Sequence, residues 1–126
     1  MSAEENKEFI RRYLDAISGK PKTESVLRLF IAEQALIDHI LTGAVAFPLY
    51  RLDPDEMLAE DDLVAVRGTI RGVHHGPYGG IPATGKPVEF TMFSTYKVQG
   101  GKIVDHWMLV DNMVVLQQIG VMPATA

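Results

Sequence analysis

The chain has 126 residues, is 47% hydrophobic and 22% charged, carries a formal net charge of −4 and contains no cysteine. That length suits one domain with one core, and no apolar run approaches the roughly 20 residues of a membrane span. The acidic balance argues against nucleic acid and anionic lipid surfaces as partners and is easier to reconcile with a neutral or cationic small molecule; the missing cysteine removes disulfides, thiolate nucleophiles and sulfur-bound metals together.

Ser2 followed three residues later by Glu5 reads as a capping box, and Phe9, Ile10, Tyr13, Leu14 and Ile17 then recur at helical spacing. The polar start lacks the apolar core of a signal peptide, so a cytoplasmic location is expected. Ser18-Gly19-Lys20-Pro21 stops this helix, because glycine accepts the left-handed cap and proline cannot continue the hydrogen-bond ladder. Thr23 caps a second helix with Val26, Leu27, Phe30 and Ile31 as its stripe. Ala35, Leu36, His39, Ile40 and Gly43 give a further helical face that ends near Phe47-Pro48.

From Tyr50 the period changes. Pro54 interrupts a segment that ends Met57-Leu58-Ala59, which reads as an edge strand because proline cannot donate to a ladder, and Glu60-Asp61-Asp62 turns the chain. The next strand places Val64, Val66, Gly68, Ile70, Gly72 and His74 on its apolar face and Ala65, Arg67, Thr69 and Arg71 on the other. His75 to Lys86 is a glycine- and proline-rich loop. Val88, Phe90, Met92, Ser94, Tyr96 and Val98 then alternate as a half-buried strand, Gln99-Gly100-Gly101-Lys102 is a hairpin turn, and a last strand runs from Ile103 to about Val110. A short helix from about Asn112 to Ile119, closed by Gly120 and followed by Pro123, completes an α+β domain spanning residues 1–126.

The last strand is apolar on both sides, with Ile103, Trp107 and Leu109 opposite Val104, Met108 and Val110. A strand covered on both faces tolerates this, so a homodimer is expected, with His106 and Met108 toward the second subunit. By the same parity Asp105 and Asp111 share a side with Trp107, which is expected to face a pocket. A carboxylate in an apolar pocket has a raised pKa and works as a proton donor or acceptor near neutral pH. The plainer role for Asp111 is the N-cap of the terminal helix. His74, at a strand end on the inward face, is a candidate proton shuttle or a satisfied structural imidazole. His39 lies at the margin of a helical apolar face. Tyr78, Tyr96, Trp107, Phe90 and Met92 are candidate pocket walls or plain core. The doublet His74-His75 points to opposite faces and has no third ligand nearby, so no metal is expected. The loop from Gly76 to Gly80 lacks the lysine and helix start that a phosphate cradle needs.

Several segments occur in a telling order: Ala59-Glu60-Asp61-Asp62-Leu63-Val64-Ala65-Val66-Arg67, Gly72-Val73-His74-His75-Gly76, Gly80-Ile81-Pro82-Ala83-Thr84-Gly85-Lys86, Gly101-Lys102-Ile103-Val104-Asp105-His106-Trp107 with Asp111, and Leu116-Gln117-Gln118-Ile119-Gly120. Together they resemble the SnoaL-like polyketide cyclase family. The resemblance implies the cone-shaped α+β barrel of the nuclear transport factor 2-like superfamily, shared with ketosteroid isomerase, in which N-terminal helices pack on a strongly curved, mostly antiparallel sheet. It also implies a deep apolar pocket for an apolar or polycyclic molecule. Family cyclases close a ring by an intramolecular aldol reaction without metal or organic cofactor, using the aspartate after the tryptophan as acid and base, and Asp111 matches that position. His74 would then assist, with His39 the other histidine within reach, and Trp107, Tyr96, Met92, Ser94, Phe90 and His39 would bind substrate. Two departures stand out. The segment between His39 and Leu58 is short for the family, and Ala83 replaces the second proline of its Pro-Pro-Thr-Gly loop. The alternatives are a non-catalytic binding module of the same fold and an epoxide-opening hydrolase. The last needs an inward arginine between two carboxylates, whereas Arg67 and Arg71 have outward parity.

Overall fold

The computed structural model describes residues 2–122. Helix α1 spans Ala3–Ile17. Ser2 Oγ accepts the Glu5 N–H and Glu5 Oε1 accepts the Ser2 N–H, both at 3.1 Å, so the capping box forms as its spacing predicts. Phe9, Ile10, Tyr13, Leu14 and Ile17 are buried along one stripe, and Gly19 leaves the helix at φ +69°. Thr23 caps α2 (Glu24–Arg28), which ends sooner than its apolar stripe suggests. The cause is tertiary: the Phe30 carbonyl accepts the Ile103 N–H at 2.8 Å, and the Ile103 carbonyl accepts the Ala32 N–H at 2.9 Å. These bonds pull residues 30–32 out of the helix and onto the sheet. Helix α3 (Gln34–Ala46) follows, burying Leu36, Ile37, Ile40 and Ala46.

Four strands form an antiparallel meander in the order β1 (Arg51–Glu60), β2 (Leu63–Val73), β3 (Pro87–Gln99) and β4 (Lys102–Val110). β1 is an edge with a bulge between Pro54 and Glu56, the device expected where proline interrupts a ladder. Gly100 and Gly101 turn β3 into β4 at φ +59° and +73°, values that a two-residue hairpin requires and only glycine adopts freely. On β2 and β3 the expected faces hold: Val64, Val66, Ile70, Val88, Phe90, Met92, Ser94, Tyr96 and Val98 are all buried, with α1 packed on β1 and β2 and α4 on β3. Helix α4 (Asn112–Gln118) lies where β4 has ended. There the Gln118 amide accepts the Glu89 N–H and donates to the Glu89 carbonyl at 2.7 and 2.8 Å, occupying backbone groups a strand would otherwise take. Pro123 lies outside the described residues. No helix among the described residues is long and apolar enough to cross a membrane.

β4 departs from the simple alternation. Val98 pairs with Ile103 but Lys97 pairs with Asp105, so Val104 is an extra residue and the ladder bulges. A single inserted residue moves every following side chain to the other face. Ile103 is buried on the inner side as expected. Beyond the bulge His106, Met108 and Val110 turn inward, while Asp105, Trp107, Leu109 and Asp111 turn outward. Trp107 is 57% exposed and Leu109 61% exposed, so both lie on the outer sheet face, the reverse of their expected placement.

The outer face has two zones. Toward the start of β1 it carries a charge ladder: Asp53 bonds Arg51 at 3.0 Å and Arg71 at 3.3 Å, and Arg71 bonds Glu89 at 2.6 Å. Further along, two cross-strand rows, Leu58-Ala65-Thr95-Trp107 and Arg67-Phe93-Leu109, form an apolar surface. Arg67 and Arg71 face outward, as their parity predicts, and among the described residues no inward arginine sits between carboxylates as epoxide opening would need.

Candidate functional site

A small, mainly apolar cavity lies between the helices and the inner face of the sheet. Its walls come from every layer: Tyr13 from α1, His39 and Gly43 from α3, Tyr50 from the α3–β1 turn, Phe90 and Tyr96 from β3, and Met108 and Val110 from β4. The β4 bulge is what brings the last two inward.

Four tyrosines line this largely apolar space, and three of them, Tyr13, Tyr50 and Tyr96, are buried. Tyr13 and Tyr96 meet edge to face with ring centroids 5.8 Å apart. Burial pushes the Tyr13 hydroxyl well above its usual range, with Tyr96 and Tyr50 adding to it; Tyr50 is raised by burial and then by Tyr96. Burial pushes Tyr96 up to about 12. All three therefore remain protonated donors at neutral pH. Tyr96 Oη is buried without a hydrogen bond of good geometry, the neighbouring Ser94 hydroxyl offsetting only part of the rise in its pKa. Leaving a buried hydroxyl unpaired costs about 1–3 kcal/mol, so the group calls for an explanation.

Tyr50 is set by two local devices. Leu49 takes φ +58° after Pro48, an unfavourable conformation for leucine that folds the α3–β1 turn and aims the next side chain inward. The Lys22 ammonium lies 4.0 Å from the Tyr50 ring centroid and donates to the Tyr50 carbonyl at 2.8 Å. Burial lowers Lys22 to about 8.

His39 is a lining residue of the cavity that remains exposed on its outer side. Partial burial, and secondarily His106, hold its imidazole below the usual 6.5, so it is a neutral base at physiological pH. His106, inward through the bulge, bonds Glu33 through Nδ1 at 2.5 Å. At the other end of α3, His74 is fully buried between Phe47 and Tyr78, and its Nδ1 meets Thr84 twice, accepting the backbone N–H at 3.2 Å and lying 3.0 Å from the Oγ1 hydroxyl. A backbone N–H can only donate, so the proton of the neutral ring sits on Nε2, which is buried without a partner. The Tyr78 hydroxyl bonds the Asn112 side chain, tying the loop to α4 beside the cavity.

Among the residues singled out in the sequence, Tyr96, Phe90 and His39 line the cavity together with Tyr78. Met92 is buried beneath the wall, and the Ser94 hydroxyl is occupied by the Trp107 carbonyl at 2.9 Å. Trp107 is on the opposite face. Asp111 is exposed and outside the cavity wall, and its Oδ1 accepts the Val114 N–H at 3.3 Å, the plainer of its two expected roles. His74 is held in the wall's support rather than on its surface. His106, expected at a subunit interface, is on the inner side. Sequence reasoning does not single out Tyr13, Tyr50 or the Glu33–His106 pair as site residues. Tyr13 belongs to a helical stripe that reads as core and gives no sign that a cavity lies above it; the other three depend on a turn, a bulge and a helix start from separate parts of the chain.

The fold is shared with solved structures. AclR from Streptomyces galilaeus, a proposed hydroxylase, superposes with a TM-score of 0.84 at 22% identity, covering 99% of this chain and 87% of AclR. IdmH from Streptomyces antibioticus, a proposed polyketide cyclase, gives 0.76 at 25% identity over 91% of this chain and 98% of IdmH. TsrD from Streptomyces laurentii gives 0.81 at 20% identity over 97% and 99%. No curated protein matches the sequence significantly. The profile of the SnoaL-like polyketide cyclases matches residues 32–119, well over half of the sequence, and the chain belongs to that family.

Proposed function

We propose that this protein binds an apolar, enolisable small molecule in the tyrosine-lined cavity and performs acid–base chemistry of the cyclase or isomerase kind, with His39 as the base. The observation that carries this reading is the buried Tyr96 hydroxyl, which makes no hydrogen bond of good geometry, in a largely apolar cavity. A carbonyl oxygen of the ligand would accept its hydrogen bond. His39 takes a proton from the carbon next to that carbonyl, and the oxygen gathers negative charge against the tyrosine donors. The enolate carbon then attacks a second carbonyl of the same molecule, and the imidazolium returns the proton to the new alkoxide. Bonds and protons balance with no co-reactant. Preorganised donors in such a setting are worth far more than in water. Ketosteroid isomerase works by the same logic, with a tyrosine donor serving an enolate in an apolar site.

The test is solvent exchange of the α-protons of β-tetralone in D2O, followed by proton NMR. Wild type should exchange faster than buffer, His39→Gln should lose about 100-fold and Tyr96→Phe about 10-fold or more. Retained exchange in His39→Gln would remove the base assignment. A second reading, a non-catalytic binding module, is favoured by Asp111, which caps α4 from the outside instead of reaching the cavity. Binding of the probe without exchange above buffer would select it.

The apolar rows on the outer face support a second proposal, a homodimer formed through Trp107, Leu109 and Phe93. Exposed apolar patches of this kind mark interaction surfaces. Light scattering at micromolar concentration should give twice the chain mass, and Trp107→Glu should give the monomer; a wild-type monomer would overturn the assignment.

A further inference from the structure

We propose that Lys22 is a positioning residue for the ligand site: its ammonium holds the Tyr50 ring in place as a wall of the cavity and so sets how tightly the site binds. The inference rests on the reading of the cavity as a small-molecule site, and it applies whether the bound molecule is turned over or only held.

Lys22 belongs to the linker between α1 and α2, and this linker wraps the chain where α3 gives way to β1. The Ser18 hydroxyl accepts the Leu52 N–H at 2.9 Å. The Tyr50 carbonyl accepts two bonds, from the Gly19 N–H at 2.9 Å and from Lys22 Nζ at 2.8 Å. Lys22 Nζ also donates to the Lys20 carbonyl at 3.0 Å. An ammonium has three N–H bonds; two carbonyls take two of them, and the centroid of the Tyr50 ring lies 4.0 Å from the same nitrogen. Attraction between a cation and a ring face is strongest where water is excluded, and Lys22 is buried.

A buried lysine usually has a carboxylate beside it. Among the described residues none pairs with Lys22. Of the charged groups on the surrounding segments, the Lys20 ammonium donates to the Asp15 carbonyl at 2.8 Å, Glu24 pairs with Arg28, and Arg51 pairs with Asp53. Burial accordingly lowers Lys22 to about 8. Two carbonyl oxygens and one aromatic face therefore take the place of water around this cation, and the ring is part of what holds the charge.

Tyr50 lines the cavity and Lys22 does not, so the cation bears on the ring from outside the space. Other restraints on that ring are sparse. Tyr50 sits in a turn, after Leu49 at φ +58°, where its N–H donates to the Phe47 carbonyl at 3.2 Å. Two of its neighbours are glycines: a Cβ at Gly43 would lie 3.8 Å from Tyr50 Cε2, and one at Gly72 would lie 3.2 Å from Tyr50 Cβ. Positions without side chains supply few packing contacts, which leaves the cation as a directional restraint. Burial keeps the Tyr50 hydroxyl protonated, so a fixed ring also fixes one donor of the site.

Charged, Lys22 keeps this wall formed, and a ligand meets a surface that needs no further ordering. Neutral, the amine retains its carbonyls but loses the charge that attracts the ring. Affinity should therefore be full at neutral pH and fall as pH rises through about 8. The other groups of the wall do not titrate there, since the four tyrosines are raised above 10 and His39 is held below 6.5. By reciprocity, a ligand that favours the ordered ring makes Lys22 hold its proton more tightly, and the Lys22 titration moves to higher pH in the complex.

The experiment uses the full chain with β-tetralone as the probe. Binding is followed by calorimetry between about pH 7 and about pH 9, and the Lys22 side chain by carbon-13 NMR. Lys22→Met keeps the long apolar stem and removes the charge and the donors. It should weaken binding about tenfold at neutral pH and abolish the alkaline fall that wild type shows, with the thermal midpoint monitoring the fold. Lys22→Arg keeps a cation able to stack on an aromatic face and should restore most of the affinity. In the exchange assay the loss should appear as a higher KM at a kcat within about twofold of wild type. Equal binding by wild type and Lys22→Met at every pH would overturn the positioning role and leave the cavity reading intact. A Lys22 titration that the probe does not move, or a loss confined to kcat, would overturn it in the same selective way. A wild type that binds no β-tetralone would overturn the cavity reading, and the role of Lys22 with it.

Discussion

His74 and His106 lie at opposite ends of α3, and each ring is tied through Nδ1, yet the two are left with opposite chemistry. At the C-terminal end, Thr84 donates its backbone N–H to His74, so the remaining ring nitrogen is a hydrogen-bond donor buried among Phe47 and Tyr78. At the N-terminal end, Glu33 accepts from His106, so the ring keeps a basic nitrogen. The surroundings match. The His74 end is closed by backbone, with the His75 and Gly76 N–H groups both donating to the Ala46 carbonyl. The type of partner, not burial alone, decides whether an imidazole fastens the fold or can take part in proton transfer.

The largest effect should come from the closed end. A Cβ at Gly76 would lie 1.9 Å from the Val45 carbonyl oxygen, against rigid backbone. Gly76→Ala should therefore destabilise by about 3 kcal/mol or more in urea denaturation; a neutral result would mean that this end is looser than its geometry. His74→Ala removes a buried ring and strands the Thr84 N–H, which should cost about 2–3 kcal/mol while leaving exchange per folded molecule unchanged. A rate loss as large as that of His39→Gln would erase the distinction between the two ends. Asp111→Ala should lose about 1 kcal/mol with its cap, whereas Asp111→Asn should stay within about 0.5 kcal/mol and keep the exchange rate.

The smallest effects on stability are at the cavity. Tyr96→Phe removes an unpaired buried hydroxyl, so the empty protein should gain up to about 1 kcal/mol even as catalysis falls. The opposed signs in the two assays would sharpen the case that this hydroxyl awaits a ligand. His39, held below 6.5 by burial and then by His106, binds its proton more weakly folded than unfolded. Its contribution to stability is complete above the unfolded value and declines as pH falls below 6.5, so His39→Gln should flatten that acid limb of the stability profile.

Much of the fold is legible in local pattern. The Ser2–Glu5 box, the Gly19 stop, the Gly100-Gly101 turn and the alternation of β2 and β3 each concern residues within a few positions of one another, where backbone geometry and period suffice. The family is legible too, through segments spread over residues 59–120. The site is less so. Periodicity finds Tyr96, Phe90 and His39, whereas a period of two carried through β4 draws Trp107 and Asp111 to the wrong side. Alternation on an edge strand with apolar residues on both sides cannot announce a bulge, because nothing in its own composition distinguishes one register from the next.

What the sequence by itself determined, then, is the order and type of the helices and strands, with α2 shorter than its pattern, and which faces of β2 and β3 are buried. Tertiary structure alone decided the extra residue at Val104, and with it that His106 turns toward the cavity and Trp107 toward the surface. It also decided that Glu33, unused as a cap, meets His106, and that Thr84 meets His74. These outcomes depend on which backbone and side-chain groups from distant segments arrive at each nitrogen and each ladder position. Local propensity carries no information about that arrival.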